Sequence, residues 1–566
     1  MGTSLRASVF GVALGAASAF ATSGAWACGG FFCNQAQPVN QAAEGIIFAD
    51  NGDGSITAVI QIKYQGPSQS FSWLLPISSV PRTDADIGVA SDLAFQRLQA
   101  ATNPSYVLNT QVEGTCKRSR ASGSTNDSGV SIDPNVPGAP GGNGVNVEAL
   151  GVVGAFEWTV ISVDQSTAEP AAAAVAWLKD NGYDVPSGAP NLLGPYLEQG
   201  LHLLALRLTK GADSGSIRPI ILTYQGTQPS IPVKLTAVAA NDDMGVLTWV
   251  LGPSRAVPQN YLSLELNEAR INWFNANANY NAVVTEAAND AGGQGFVTEF
   301  AGGSEALKDQ IWTVSDDARW TAFKGSVFVS FADFFNRAYD QYGQWDGFWD
   351  ATRVSVTLPT DGPSFEDFKV CPSCYAPQVH FSPASYLGEL EKSVIEPVKR
   401  VQGLVDLHPQ LTRLYTTLSA DEMTLDPLFS FNPDLPSVSN LHSANRVIEC
   451  SSEVFDFEAP WRIELPQGGT VRGTAQSVGS WPSALDTLPP NREIVQSGES
   501  GSGKVIEDNS AAIDTLLADY NLNHSGAPPR STSGGCNVAR DRNPLGALVA
   551  LFAAAAVVMR RRRSPR

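Results

Sequence analysis

The last thirty residues restrict the fold before anything upstream is read. Leu545 to Met559 are apolar apart from Gly546, and Arg560 to Arg563 follow as an unbroken basic block. Such an order holds the basic block in the cytoplasm and sends the preceding chain across a membrane. At 1.5 Å per residue, roughly 15 residues reach about 23 Å, short of a ~30 Å hydrocarbon layer. Snorkelling arginines and local thinning close that gap. The pattern therefore predicts a transmembrane segment over 544–559, an anchor that holds the protein in the membrane. The Ser/Gly/Pro-rich stretch 525–535 before it shows no packed element.

The opposite end agrees with this address. Arg6 precedes an apolar run from Val9 to Ala21, and Ala25-Trp26-Ala27 stands before Cys28. This is the layout of a secretory signal peptide over 1–27, cut after Ala27. A lipoprotein reading of Cys28 is weaker, because Ala25 occupies the place where Leu is usual. The chain between the two ends is expected to be exported. Outside 28–536 lie eight arginines and one aspartate, so removing both ends takes the net charge from −19 to −26. That excess disfavours nucleic acid and anionic surfaces as partners. Five histidines leave little for histidine-based acid–base or metal chemistry.

An exported chain can keep disulfides. Cys28, Cys33, Cys116, Cys371, Cys374 and Cys450 are the candidates, with Cys536 belonging to the tail. Six cysteines allow fifteen connectivities, and spacing does not choose among them. The simplest has two local pairs, Cys28/Cys33 and Cys371/Cys374, leaving Cys116 for Cys450.

Along the chain, Gly45–Asp50 and Ser55–Tyr64 alternate around Asn51-Gly52-Asp53-Gly54, predicting a β-hairpin. Residues 117–146 are Ser/Gly/Asn/Pro-rich and read as a flexible loop. Leu201–Leu208, Ile220–Tyr224, Val233–Ala239 and Gly245–Leu251 read as strands separated by turn residues. Helices are predicted at Asp92–Ala100, Glu169–Lys179, Asn281–Ala291, Ser304–Asp309, Phe331–Tyr342 and Tyr386–Val401. Helix then alternates with loop to about Asn432, before late strands at Arg446–Glu449 and Trp461–Leu465. The predicted class is α+β, with largely antiparallel, sandwich- or meander-like sheets and a more helical C-terminal half. The ectodomain is set at 28–480, followed by a loop-rich spacer over 481–535 with one helix, Ala511–Tyr520, and the tail over 536–566.

Each motif with chemical potential has a plainer reading beside it. Cys371-Pro372-Ser373-Cys374 has thioredoxin-like spacing without the βαβ context, so a structural disulfide is favoured. With Cys28 and Cys33 it would make four thiolates for zinc, a weak signal. Gly498 to Lys504 nearly spells a phosphate-binding loop, but Val505 stands where Ser or Thr would hold magnesium. Asp50 and Asp53 suggest calcium, yet Gln61 occupies the twelfth position, where the Glu of a calcium loop belongs. Trp345-Asp346-Gly347-Phe348-Trp349-Asp350 could stack on glycan, although Trp is usually core. Glu286, Glu299, Asp421 and Glu422 are the carboxylates to follow. No set is assigned a catalytic, cofactor-binding or metal role.

Two resemblances add to this reading. Gly535-Cys536, a short apolar helix and an arginine cluster together resemble the myxobacterial MYXO-CTERM sorting signal. That implies a sorting protease acting near Cys536 and display on the surface of a Gram-negative cell. Cys28-Gly29-Gly30-Phe31-Phe32-Cys33 with Pro38 to Glu44 resembles the start of the DUF2330 family of exported bacterial proteins. Leu235 to Ala240, Val284 to Ala288, Gly295 to Glu299, Leu411 to Tyr415 and Ser419 to Met423 add to it. The resemblance implies a shared fold and no substrate. The expectation is an exported, surface-anchored protein with a binding or envelope-structural role, its candidate partner an envelope or extracellular glycan or protein, and no cofactor. The alternative is a secreted carboxylate-dependent hydrolase.

Overall fold

The hairpin around Asn51–Gly54 starts the largest sheet. Asp50 Oδ1 accepts from the Gly52 N–H at 3.0 Å, and Asp53 Oδ1 accepts from the Ser55 N–H at 2.9 Å. Gly52 and Gly54 supply the positive φ that this turn requires. In the computed structural model, the described residues are 31–32, 40–65, 72–81, 86–117, 145–153, 156–164, 166–183, 185, 188–208, 218–226, 228–238, 240–474 and 480–524. They belong to one compact unit, Met1–His524; a second unit, Ser525–Arg566, lies outside them. So do the predicted signal peptide, Cys28, Cys33, most of the 117–146 loop, Cys536 and the 544–559 segment. Among the described residues no helix is long and apolar enough to cross a membrane.

The large sheet has ten strands. In chain order they are β1 (Asn40–Asp50), β2 (Ser55–Gln65), β3 (Ile87–Val89), β4 (Ile220–Gln225), β5 (Ala240–Gly252), β6 (Leu262–Leu266), β7 (Gly295–Gly303), β8 (Gln410–Leu418), β9 (Asn491–Gln496) and β10 (Lys504–Asp508). Their spatial order is β10-β9-β6-β7-β8-β5-β1-β2-β4-β3. Pairing is antiparallel except for β1 with β5 and β6 with β7. A five-stranded sheet, running 31–32, 72–77, 202–208, 156–163, 145–153, packs against one face of it.

Strand alternation decides the layers. Ile46, Phe48, Val246, Val250 and Leu414 meet Trp73, Phe156, Trp158 and Leu206 of the five-stranded sheet. The alternate residues Ile47, Ala49, Trp249, Leu251 and Leu411 meet a helical layer drawn from 314–407. Helices Pro170–Asp180 and Ala189–Glu198 cover the outer face of the smaller sheet. A third cluster joins β6 and β9 to a four-stranded sheet (105–113, 441–449, 461–464, 470–473) and to helix Ser510–His524. Fully buried Trp249, Trp320 and Trp461 sit in these clusters, each worth roughly 3–5 kcal/mol on truncation to Ala. The α+β class, with several antiparallel sheets and helices concentrated in the C-terminal half, is what the structure has.

Four local expectations differ. Val233–Thr236 is a short helix, not a strand; it follows Pro232, and Asp426 Oδ1 satisfies the Lys234 N–H at 3.0 Å. Gln410–Leu418 is a central strand, with buried Thr412, Thr416 and Thr417 hiding the alternation. The stretch from 481 contributes β9 and β10 to the large sheet, so the packed unit continues to His524. The predicted helix Tyr386–Val401 is interrupted by a π-helical turn, Glu391–Ile395. Pro397 follows that turn and lacks the N–H that a continuous helix would use.

Candidate functional site

Above β1, β5 and β8, the sheet face leaves a cavity of about 290 Å³. Its floor is made by one strand irregularity. The β7–β8 register shifts between Thr298 and Phe300, so Glu299 is the extra residue of a bulge beside Arg413. Glu299 Oε2 accepts from Arg413 Nε at 2.5 Å, with the two side chains 1% and 5% exposed. Two charges this deep need each other and further hydrogen bonds. Tyr280 Oη supplies one, donating to Glu299 Oε1 at 2.6 Å.

The last turn of α1 (Asp92–Thr102) supplies the others. Arg413 Nη1 donates to the Gln99 carbonyl at 3.3 Å and to Thr102 Oγ1 at 3.1 Å. Thr102 Oγ1 also accepts from Trp249 Nε1 at 3.0 Å and donates to the Leu98 carbonyl at 2.7 Å. The guanidinium lies 5.5 Å from the Trp249 ring centroid. The ion pair is thereby fixed and internally neutralised.

The walls are aromatic and the rim is amide. Tyr106, Tyr280, Tyr415 and Leu247 line the cavity, with Gln61 and Gln99 at its side. Asn103, Asn277 and Asn281 line it as well and are exposed, marking the mouth. Tyr106 is braced from behind: His442 stacks on it at 4.6 Å, and His442 Nδ1 lies 2.6 Å from Glu268 Oε1. Burial, then the Glu268 and Glu299 carboxylates, hold the Tyr106 phenol protonated well above the usual tyrosine range. Burial does the same for Tyr280, followed by the charge of Glu299. The Tyr415 phenol is pushed up to about 12, again chiefly by burial. These are neutral hydrogen-bonding groups, not bases.

A family model described as "Uncharacterized protein conserved in bacteria (DUF2330)" matches residues 22–338, more than half of the 566. The chain belongs to the DUF2330 family. The match takes in the cavity residues of β1, β5, α1, β7 and the helix Tyr280–Asp290 (α2), while Arg413 and Tyr415 lie beyond it, as do the motif-like stretches at 411–423. No curated protein matches this DUF2330 chain, and neither does any solved structure.

Of the four carboxylates followed from the sequence, Glu299 alone enters the cavity. Glu286 is half-exposed on α2 and pairs with Arg270 at 2.7 Å. Asp421 is exposed, and Glu422 Oε2 caps the Ser419 N–H at 2.7 Å. Glu44 borders the cavity, and alternation assigns it to the face of Ile46 and Phe48. Cys116 is bonded to Cys450 and Cys371 to Cys374, with Cα–Cα distances of 4.9 and 5.4 Å. As disulfides these thiols are not zinc ligands, and no group of three or more metal-ligating side chains occurs among the described residues.

The remaining motifs resolve into structure. Trp345 packs on Trp312 and Tyr342, Trp349 on Phe335 and Tyr339, and Asp346 accepts from Ser91 Oγ at 2.6 Å and Arg218 Nε at 3.2 Å. They build the helical layer, with Trp345 and Trp349 partly exposed at its surface. Gly498 to Lys504 is the β9–β10 hairpin loop, where Asn432 Nδ2 donates to the Gly498 and Gly501 carbonyls. Sequence reasoning missed Arg413, Tyr106, Tyr280 and Tyr415. Arg413 and Tyr415 stood inside the family-like stretch Leu411 to Tyr415 without a site role, and their i, i+2 spacing with Leu411 was obscured by Thr412 and Leu414 between them.

Proposed function

We propose that this chain is an exported protein, held or displayed at the cell surface by its C-terminal segment, that binds a small polar molecule in the Glu299–Arg413 cavity. The carrying observation is convergence: three protonated phenols, a neutralised ion pair and several side-chain amides face one partly open space. Cavities with apolar walls and a few fixed polar groups are what small-ligand sites need. Carboxylate hydrolysis needs two carboxylates about 5–10 Å apart. Glu299 is already engaged by Arg413 and Tyr280, which favours binding over catalysis. Export is supported by the residues at both ends, and surface sorting by the Gly535-Cys536, apolar and arginine sequence of the tail.

The test is ligand-induced thermal stabilisation of the full chain across a chemically mixed small-molecule panel. Leu247→Trp, which places bulk in the cavity, should abolish the shift without lowering the unfolding temperature of the free protein by more than a few degrees. Ligands that stabilise wild type and Leu247→Trp equally would place binding elsewhere. For the address, Cys536→Ala should block processing and surface protease accessibility. Unchanged display would sink the sorting reading.

A further inference from the structure

We infer that the ligand of this cavity is a single neutral saccharide ring. The inference rests on the cavity being a ligand site and adds the chemical class. Size is the first argument. At ~30 Å³ per water, 290 Å³ holds about ten waters, the space of about a dozen heavy atoms. A single hexose fits within that space.

Charge is the second. Arg413 is the cation among the lining residues, and its Nε and Nη1 are committed to Glu299, Gln99 and Thr102. A phosphate or carboxylate would compete with Glu299 for that guanidinium while lying close to the Glu299 charge. An amino-acid zwitterion would have to split a pair whose separation leaves two buried charges unmatched. A neutral ligand can accept from Arg413 Nη2 and donate to Glu299 without breaking anything.

Hydrogen-bond character is the third. Among the described residues no protein group engages the side-chain amides of Gln99, Asn103, Asn277 or Asn281, or the phenols of Tyr106 and Tyr415. Amides and phenols each donate and accept, as sugar hydroxyls do. Between them, Tyr106, Tyr280, Tyr415 and Leu247 offer apolar surface to the C–H faces of a ring.

The experiment is titration calorimetry of the full chain with glucose, galactose, N-acetylglucosamine, glucuronate, alanine, inorganic phosphate and adenosine. At least one neutral sugar should bind, and Asn281→Ala and Tyr415→Phe should each weaken it at least fivefold. Asn281 is an exposed rim residue, so its removal leaves folding intact. Binding of alanine, phosphate, glucuronate or adenosine with no neutral sugar would overturn the saccharide class and leave the cavity reading standing. Sugar binding untouched by both substitutions would place it outside the cavity and overturn the inference. No heat with any ligand, together with no thermal stabilisation across the mixed panel, would overturn both readings.

Discussion

Replacing Arg413 by Met isolates the energetics of the cavity floor. Methionine keeps most of the side-chain volume, so the cost comes from polarity and not from a new void. The substitution removes the 2.5 Å contact to Glu299, the bonds to the Gln99 carbonyl and Thr102 Oγ1, and the stacking on Trp249. It leaves the Glu299 carboxylate 1% exposed with Tyr280 as its remaining donor. Stranding one partner of a buried pair costs about 3–5 kcal/mol. We therefore expect a loss of about 4 kcal/mol, a large fraction of the ~5–15 kcal/mol typical of folded proteins. The companion variant Arg413→Met/Glu299→Met removes both charges and leaves Tyr280 Oη without its acceptor, costing about 1–3 kcal/mol. The double variant should thus be the more stable of the two. Urea is the denaturant of choice, because guanidinium salt screens charge. A single-variant loss below about 1 kcal/mol, or a double-variant loss equal to the sum of the singles, would refute the argument that the two charges depend on each other.

The two disulfides should differ sharply in what they hold. Chain-entropy scaling gives about 6 kcal/mol for Cys116–Cys450, which closes a separation of 334 residues, and about 2 kcal/mol for Cys371–Cys374, so urea midpoints of the two Cys→Ser double variants should fall in that order. Gly347→Ala should lose at least about 2 kcal/mol in the same assay, because φ is +83° and the added Cβ would run into the Ser393 carbonyl and Arg218. The buried tyrosines predict alkaline instability. A phenol with a raised folded pKa, such as Tyr415 at about 12, stabilises the fold fully below the ordinary value of 10, and that contribution is lost as pH rises from 10 through 12. Melting temperature should therefore drop across that window, and a smaller drop in Tyr415→Phe would assign part of it to this residue.

How much of this was legible follows from where each signal is local. The β1–β2 hairpin was visible because its turn is written in four adjacent residues whose side chains and φ angles close it on themselves. Helix Phe331–Tyr342 was visible because its apolar residues recur at helical spacing and its Ser330 cap is adjacent. Strand β8 was not, because both of its faces are buried and polar threonines are satisfied by distant partners: Thr412 Oγ1 accepts from the Ala256 N–H, and Thr417 Oγ1 meets Thr285. The short helix at Val233 was hidden for the same reason, since its cap comes from Asp426. The ion pair joins residues 114 positions apart. Both stand in family-like stretches, Gly295 to Glu299 and Leu411 to Tyr415, but their pairing acquires meaning only in the folded register.

The register also explains why the space is empty. Gly45 on β1 faces Leu247 on β5, which faces Tyr415 on β8, and Gly245 lies two residues before Leu247 on the same face. A Cβ on Gly45 would come within 3.2 Å of Gln61 Oε1, and one on Gly245 within 3.1 Å of Tyr415 Oη. Farther along the same strands, Ile47, Ala49 and Leu251 carry side chains, and there the helical layer closes onto the sheet. The two glycines thus withhold side chains where Tyr106, Tyr280 and Tyr415 stand back around a gap, so the sheet face passes from packed core to cavity within a few residues. Two features mark this end of the sheet: a bulge that turns Glu299 toward Arg413, and glycines that keep the space before them clear. Either alone is ordinary strand irregularity. Together they make an open, polar floor bounded by rigid strands, which is the arrangement that holds a ligand with little reordering.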